Sequence, residues 1–334
     1  MVTDEQTITK NQVAKVGNLL RNEVTDEALQ ALSNWRAMHA QPLNTAYMLL
    51  KRKAEPLDKQ VILSQRLKRL PSIIEKLNRY PKMKLDRMQD MGGCRAVLAS
   101  QDKVLSLAGM LTKKAMKMEK DYYQKPKRSG YRSLHLSYKY KPTKEENMKY
   151  EGLVVEVQLR TLIQHAWATA VEIVGLFNRE MLKASKGDSK WLEFFARVSD
   201  EFAKLEGLPL TGLYGDDNIE RVKALNDELK ALDTLSLYRV TTDFIDKKND
   251  DMSNIGAYFL LMVQDGEIRI IEYKKHQYQR AVDAYLAFEK QFGRDKNTDI
   301  VLIDAQPIKA LKKAYPNYFA DSHKFVQLVR RVTG

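Results

Sequence analysis

The spacing of apolar residues divides the chain into stretches of different character. Over the first 60 residues, Val13, Val16, Leu19 and Leu20, then Leu29, Leu32, Trp35 and Met38, recur at three- and four-residue steps, which predicts helices. Residues 62–205 mix alternating with helical segments, as an α+β domain does. The clearest alternation is Leu153-Val-Val-Glu-Val-Gln-Leu-Arg160. Leu153, Val155, Val157 and Leu159 point one way; Glu156, Gln158 and Arg160 point the other. Thr161 and Gln164 then have the spacing of a capping box for a helix carrying His165, Trp167 and Glu172.

Three Gly and a Pro fall within residues 207–215, which predicts a domain boundary there. A helix follows at Ile219–Leu232, then strands at Leu237–Phe244, Ala257–Val263 and Ile268–Tyr273. The Asp265-Gly266 pair predicts a hairpin between the last two. A helix at Gln277–Phe292, a strand at Ile300–Ile303 and two terminal helices complete the chain. The expected organisation is a domain over 1–206, a linker and helix over 207–234, and a smaller α+β domain over 235–334.

Composition narrows the function classes. The 334 residues are 44% hydrophobic and 30% charged, which excludes a disordered or low-complexity chain. Lys and Arg number 56 against 43 acids, a net charge of +13 that favours polyanionic partners. With a single Cys (Cys94), neither an intramolecular disulfide nor a multi-thiolate zinc site is available, and no zinc is expected. No apolar run approaches the length of a membrane helix, and MVTDEQTITK is not a signal peptide, so a cytoplasmic protein is expected.

Four segments carry candidate chemistry. In residues 64–76, Arg66 and Lys68 share a face of an extended segment. Pro71 suits the first turn of a helix that puts Ser72 and Lys76 on one side. Such a junction suits a triphosphate, although residues 51–87, with twelve basic side chains against four acids, also suit a solvated surface. Asp90 stands at the mouth of a strand holding Arg95; it suits magnesium or, more plainly, a turn. The basic loop Lys125, Lys127 and Arg128 leads to Tyr131, Ser133 and His135, which suits base stacking or a packed hairpin. The strand with Glu156, Gln158 and Arg160 suits a phosphate and metal site or a half-exposed edge strand.

Taken together, Arg-x-Lys-x3-Ser-x3-Lys, Asp-x4-Arg, Pro-Lys-x-Ser-Gly-Tyr-Arg-Ser-Leu-His and Glu-x-Gln-x-Arg-Thr resemble the RelA/SpoT-type alarmone synthetase family over about residues 45–180. The resemblance implies a nucleotidyltransferase-like mixed sheet flanked by helices. It also implies transfer of the β,γ-pyrophosphate of ATP to a ribose 3′-hydroxyl with magnesium. Carried over by position, Arg66 and Arg95 sandwich the adenine, and Lys68, Ser72 and Lys76 hold its phosphates. Asp90 binds the metal, and Glu156 binds metal or acts as base. Tyr131 stacks on the acceptor base, while His135, Gln158, Arg160 and the loop cations Lys125, Lys127 and Arg128 complete the acceptor side. A carboxylate near Arg160 stays ionised at neutral pH.

The pattern departs from the family in two places. There is no His-Asp dipeptide and hence no hydrolase dyad, and the usual Glu-His pair of the last helix reads Glu172-Ile173. The C-terminal part, with Tyr315-x-x-Tyr318, resembles the fused toxin–antitoxin branch of the toxic small alarmone synthetases. That resemblance implies a metal-free, zinc-finger-like C-terminal fold whose two tyrosines occupy the adenine pocket until a phage capsid protein binds. It further implies tRNA as acceptor, pyrophosphorylated at its 3′ CCA end so that translation stops. The alternative is a small synthetase making (p)ppGpp or (p)ppApp under a regulatory C-terminal domain.

Overall fold

The computed structural model describes residues 8–113, 115–177, 182, 187–236, 258–264, 267–292, 298–304 and 322–334. The predicted N-terminal helices are present as α1 (Lys10–Asn22), α2 (Asp26–Met38) and α3 (Ala40–Leu57). Thr9 opens α1 with a reciprocal capping box to Gln12, satisfying amides that the first turn leaves unpaired. The first sheet and its helices follow: β1 (Ile62–Leu67), α4 (Leu70–Arg79), β2 (Gly92–Leu98), α5 (Gln101–Thr112), β3 (Met116–Asp121), β4 (Leu134–Lys139), β5 (Val154–Thr161) and α6 (Leu162–Phe177).

The strand order is β1-β2-β5-β4-β3. Only β2 and β5 run parallel, so the sheet is mixed. The strand Val154–Thr161 is therefore central. The edge-strand reading fails because β2 and β4 hydrogen-bond to its two sides. One sheet face is apolar: Cys94, Ala96, Val155, Val157, Leu134 and Leu136 pack beneath α3 and α5. The opposite face carries the polar half of the alternation, and this division puts the candidate chemistry on a single surface.

α7 (Ser189–Glu206) starts on an Asp188 cap and stops at Gly207, whose φ of 64° is a left-handed C-terminal conformation that glycine adopts without strain. α8 (Asn218–Leu229) follows the glycine-rich segment. A second sheet, β6 (Tyr258–Gln264), β7 (Glu267–Tyr273) and β8 (Thr298–Asp304), has the order β7-β6-β8 and is covered by α9 (Tyr278–Phe292). The predicted hairpin pairing is present, with Gln264 opposite Glu267. The two sheets meet along their edges, β8 lying beside β1. Covering an edge strand in this way protects its unpaired backbone groups from other chains.

α10 (His323–Thr333) lies in the stretch, 235–334, expected to form a second domain. It packs in the core of the first: Phe325, Val326, Leu328 and Val329 join Phe194, Phe195 and Phe202 of α7. The expected strand at 237–244 and the segment with Tyr315 and Tyr318 lie outside the described residues. No described helix is long and apolar enough to cross a membrane.

Candidate active site

Sheet register builds the site. Directly opposed residues share a face, so two cross-sheet rows can be read from the pairing. One runs Arg66, Gly93, Glu156, Ser137; the other runs Ser64, Arg95, Gln158, His135. Arg66 and Arg95, on neighbouring antiparallel strands, thus stand on the same surface as Glu156. At its middle, Gly93 contributes no side chain. A Cβ built there would meet only the Glu156 carbonyl oxygen, at 3.9 Å, which leaves open space between Arg66 and Glu156.

At the end of β1 the chain turns into α4, with Pro71 in its first turn, and presents Lys68, Ser72 and Lys76. Asp90, in the turn before β2, accepts from Lys68 Nζ at 2.9 Å and from Lys76 Nζ at 2.7 Å. Burial pushes the Asp90 carboxyl up, but the two ammonium groups outweigh it and hold the group below the usual carboxylate range. Lys68 is itself pulled down, chiefly by desolvation, against the attraction of Asp90. Two cations converge on one carboxylate where the sheet face opens.

On the other side of Gly93, five side chains close a ring of hydrogen bonds. Arg160 Nη2 donates to the Tyr131 hydroxyl at 2.8 Å and to Gln158 Oε1 at 2.7 Å. Gln158 Nε2 donates to Glu156 Oε2 at 2.6 Å. His135 lies between Glu156 Oε1 (Nδ1, 2.9 Å) and the Tyr131 hydroxyl (Nε2, 2.8 Å). The tautomer that satisfies every partner is neutral His135, with Nδ1–H donating to Glu156 and Nε2 accepting from Tyr131. Desolvation and the nearby Asp90 push Glu156 up. The hydrogen bonds from His135 and Gln158 outweigh both, so Glu156 ionises below its ordinary range.

Tyr131 is only 8% exposed. Lys127 Nζ sits 4.9 Å from its ring centroid and Arg160 Cζ 5.2 Å, so cations cover the ring expected to stack on a base. Lys127 also lies 4.8 Å from the ring of Tyr122, which meets Tyr131 and His135 edge-on. Lys127 is exposed like the other loop cations, yet its ammonium lies over both rings, and its pKa is lowered mainly by desolvation. Lys125 and Arg128 are exposed, and Arg128 acts on Tyr214 in the linker. Ser133 is fully buried and donates to the Leu159 carbonyl rather than lining the cleft.

Sequence reasoning missed Gly93, Tyr122 and the anchorage of the Tyr131 loop. Arg132 forms a buried pair with Asp200 of α7 at 2.9 Å, and Gly130, at φ 87°, packs so closely that a Cβ would stand 2.6 Å from that of Ser199. Tyr122 could have been found from its place two residues after a basic strand residue, Lys120, and directly before the buried Tyr123. Arg132 alternates with Tyr131 and Ser133, but nothing local names its partner 68 residues away.

A cation-lined sheet face with one carboxylate on it and a second in the turn at its end has the charge pattern that suits a nucleotide polyphosphate with a divalent cation. Residues 65–174 match the region found in RelA / SpoT proteins. The matched segment contains Arg66, Lys68, Asp90, Arg95, Tyr131, His135, Glu156 and the other candidate ATP- and acceptor-binding residues. The chain is 34% identical over 109 residues to a GTP pyrophosphokinase of Bacillus subtilis; this covers 31% of the chain and about half, 51%, of that relative's length. Among solved structures it resembles small alarmone synthetase 1 of Bacillus subtilis bound to its product pppGpp, at 28% identity over 43% of this chain and 73% of that one, with a TM-score of 0.35. A GTP pyrophosphokinase family protein of Streptococcus pneumoniae matches at 22% identity over 60% of this chain and 98% of its own, with a TM-score of 0.42.

Among the described residues no group of three His, Cys, Asp or Glu side chains converges as a metal cage. Asp90 and Glu156 nevertheless fit magnesium, a hard cation that takes one or two carboxylates and completes its shell with substrate phosphates and water. Both stay ionised at neutral pH, as such ligands must.

Proposed function

We propose that this chain is an ATP-dependent pyrophosphokinase of the RelA/SpoT type. The observation that carries the reading is Asp90, held between Lys68 and Lys76 in the turn at the end of the sheet face that bears Arg66, Arg95 and Glu156, and near enough to Glu156 to push its carboxyl up. In the reaction, a ribose 3′-oxygen attacks the β-phosphorus of ATP. The bond to the oxygen bridging the α- and β-phosphorus breaks, and AMP leaves. Glu156 orients the attacking hydroxyl and accepts its proton, while His135 and Gln158 hold both carboxylate oxygens in place. Arg66 and Arg95 flank the adenine, and Lys68, Ser72 and Lys76 receive the phosphates. Asp90 and Glu156 would hold magnesium, which when bound would supply charge neutralisation for the transferred group.

The acceptor we propose is the 3′ CCA end of tRNA. The exposed Lys125 and Arg128 beside the cleft support a polyanion longer than a mononucleotide. The resemblance to the fused branch supports a second unit that restrains the enzyme through Tyr315 and Tyr318 until a phage capsid protein binds, and a cytoplasmic defence role in which infected cells stop translating. A second reading, a synthetase of guanosine or adenosine alarmones, is favoured by the Bacillus relative, a GTP pyrophosphokinase by name.

The test is transfer of label from the β,γ-pyrophosphate of ATP by the full chain, with bulk tRNA, GDP, GTP, ADP and ATP as separate acceptors and Glu156→Gln as the blank. Label on tRNA, raised by Tyr315→Ala with Tyr318→Ala, is expected. Label on a nucleotide alone would replace the acceptor, and no transfer to any acceptor by either form would sink the enzyme reading.

A further inference from the structure

The second sheet reaches the first through a buried ionic contact that no mechanistic step above uses. Arg36 of α2 is 1% exposed, and Glu289 of α9, 253 residues away, is 5% exposed. Arg36 pairs with the Glu289 carboxylate through Nη1, while Nη2 lies 3.4 Å from Oε1. Tyr285 joins both: its hydroxyl donates to Glu289 at 2.8 Å and accepts from Arg36, whose guanidinium lies 5.1 Å from the ring centroid. The position of this cluster matters. Glu289 and Ala287 line one cleft together with Leu70, the first residue of α4, and β8 lies beside β1. The cluster therefore abuts the β1–α4 junction that presents Arg66, Lys68, Ser72 and Lys76.

α4 lacks a cap of its own. Its N-cap residue is Arg69, which makes no side-chain capping bond, and its first turn contains no acid. A helix start leaves amides unpaired and carries positive dipole charge, which a carboxylate stabilises. Glu289 supplies a carboxylate from the other sheet's helix. Burial outweighs the pull of Arg36, the Leu70 amide and Arg69 and holds the Glu289 carboxyl above its usual range, so its oxygens serve as acceptors in either protonation state.

We propose that Glu289, oriented by Arg36 and Tyr285, is a positioning residue for the donor site: it caps α4 from outside and sets where Ser72 and Lys76 meet the ATP phosphates. The second unit then completes the ATP site in addition to any restraint it imposes. This rests on the donor-site reading above.

The experiment measures binding of α,β-methylene-ATP with magnesium to the full chain by calorimetry, which needs no turnover. Wild type, Glu289→Ala, Glu289→Gln and Tyr285→Phe are compared, with hydrogen exchange followed at residues 70–76. Glu289→Ala is expected to weaken binding about fivefold, the factor corresponding to one lost capping interaction. Glu289→Gln, which keeps an oxygen acceptor, recovers most of it. Exchange in the first turn of α4 accelerates in the same order, while β5 is unchanged. Tyr285→Phe leaves the carboxylate in place and gives a smaller shift in the same direction, so the question survives if Glu289→Ala does not fold. Wild-type binding with unchanged affinity in folded variants overturns the inference alone. So does turnover that rises on loss of Glu289 with unchanged ATP affinity, which marks the contact as a restraint only. Absence of binding both by the wild type and by the full chain carrying Tyr315→Ala with Tyr318→Ala overturns the donor-site reading itself; binding by the latter alone moves the whole comparison into that background.

Discussion

The shorter arm of the hydrogen-bond ring from Tyr131 to Glu156 is a single residue, His135, whose two ring nitrogens lie 2.8 Å from the tyrosine hydroxyl and 2.9 Å from the carboxylate. The hydroxyl thus fixes the tautomer and orientation of the histidine, which in turn fixes the carboxylate. In Tyr131→Phe, Arg160 keeps Gln158 but loses the phenolic oxygen, and His135 loses its donor. Removing one partner from such a buried network costs about 1–3 kcal/mol. We expect kcat to fall roughly tenfold or more, the rate equivalent of that loss, with KM for ATP unchanged. Initial-rate kinetics decide it; an equal loss of ATP affinity would place the hydroxyl on the donor side instead.

Gly93 leaves bare the face between Arg66 and Glu156, and nothing but a backbone oxygen at 3.9 Å would meet an added Cβ. Gly93→Leu should therefore fold with nearly the wild-type melting temperature and lose ATP binding, because its side chain fills the space the nucleotide needs. Retained binding in a folded Gly93→Leu protein would move the donor site off this face.

Asp90 satisfies Lys68 and Lys76, the two cations that the proposed reaction assigns to phosphate. Asp90→Asn removes the competing negative charge and the metal ligand together. Metal-free ATP should bind more tightly than to wild type, whereas magnesium-dependent turnover should drop by roughly a hundredfold or more. Calorimetry with and without chelator separates the two effects, and a loss of metal-free binding would contradict the assignment.

His39, buried between α2 and α3, has its pKa lowered by desolvation from 6.5 to about 4, opposed by its bond to the Trp35 carbonyl. The folded state therefore holds it neutral. Below pH 6.5 the unfolded chain takes up a proton that the folded chain refuses, so stability falls as pH drops from 6.5 to about 4. The loss approaches on the order of 3 kcal/mol. Asp90 and Glu156, with depressed values, lose their contribution only at still lower pH. Urea unfolding across this range should show the slope in wild type and a flatter line in His39→Gln.

Phe325 of the last helix is fully buried against Phe194, Phe195 and Phe202. Phe325→Ala should cost about 3–5 kcal/mol, since a large aromatic leaves a cavity its neighbours cannot fill. Removing the second domain together with this helix should destabilise the first, even though the sequence boundary lies far upstream at 207–215. A truncated chain with an undiminished melting temperature would contradict this.

Local chemistry was legible along the chain. The capping box of Thr161 and Gln164 forms as its spacing requires, with both reciprocal bonds at 3.2 Å. Pro71 opens α4, Gly207 closes α7, and Glu156 and Gln158 share one face with Arg160 bonded beside them. Each follows from interactions within a few residues, where backbone geometry leaves little choice. The alternation at 153–160 could not say whether β5 lay at an edge, because strand pairing depends on segments 60 residues distant. Nor could it reveal that the loop cation Lys127 covers the Tyr131 ring.

What the sequence alone determined was a set of candidate groups and the elements that bear them: two acids, a cationic strand–helix junction and an alternating strand, the elements read from periods of two and 3.6 residues. The tertiary structure decided which groups share a surface. Register placed Gly93 between Arg66 and Glu156, long-range packing put the last helix into the first core, and Arg36 met Glu289 across 253 residues. These pairings are chosen by burial and charge compensation over the whole fold, to which no local pattern has access.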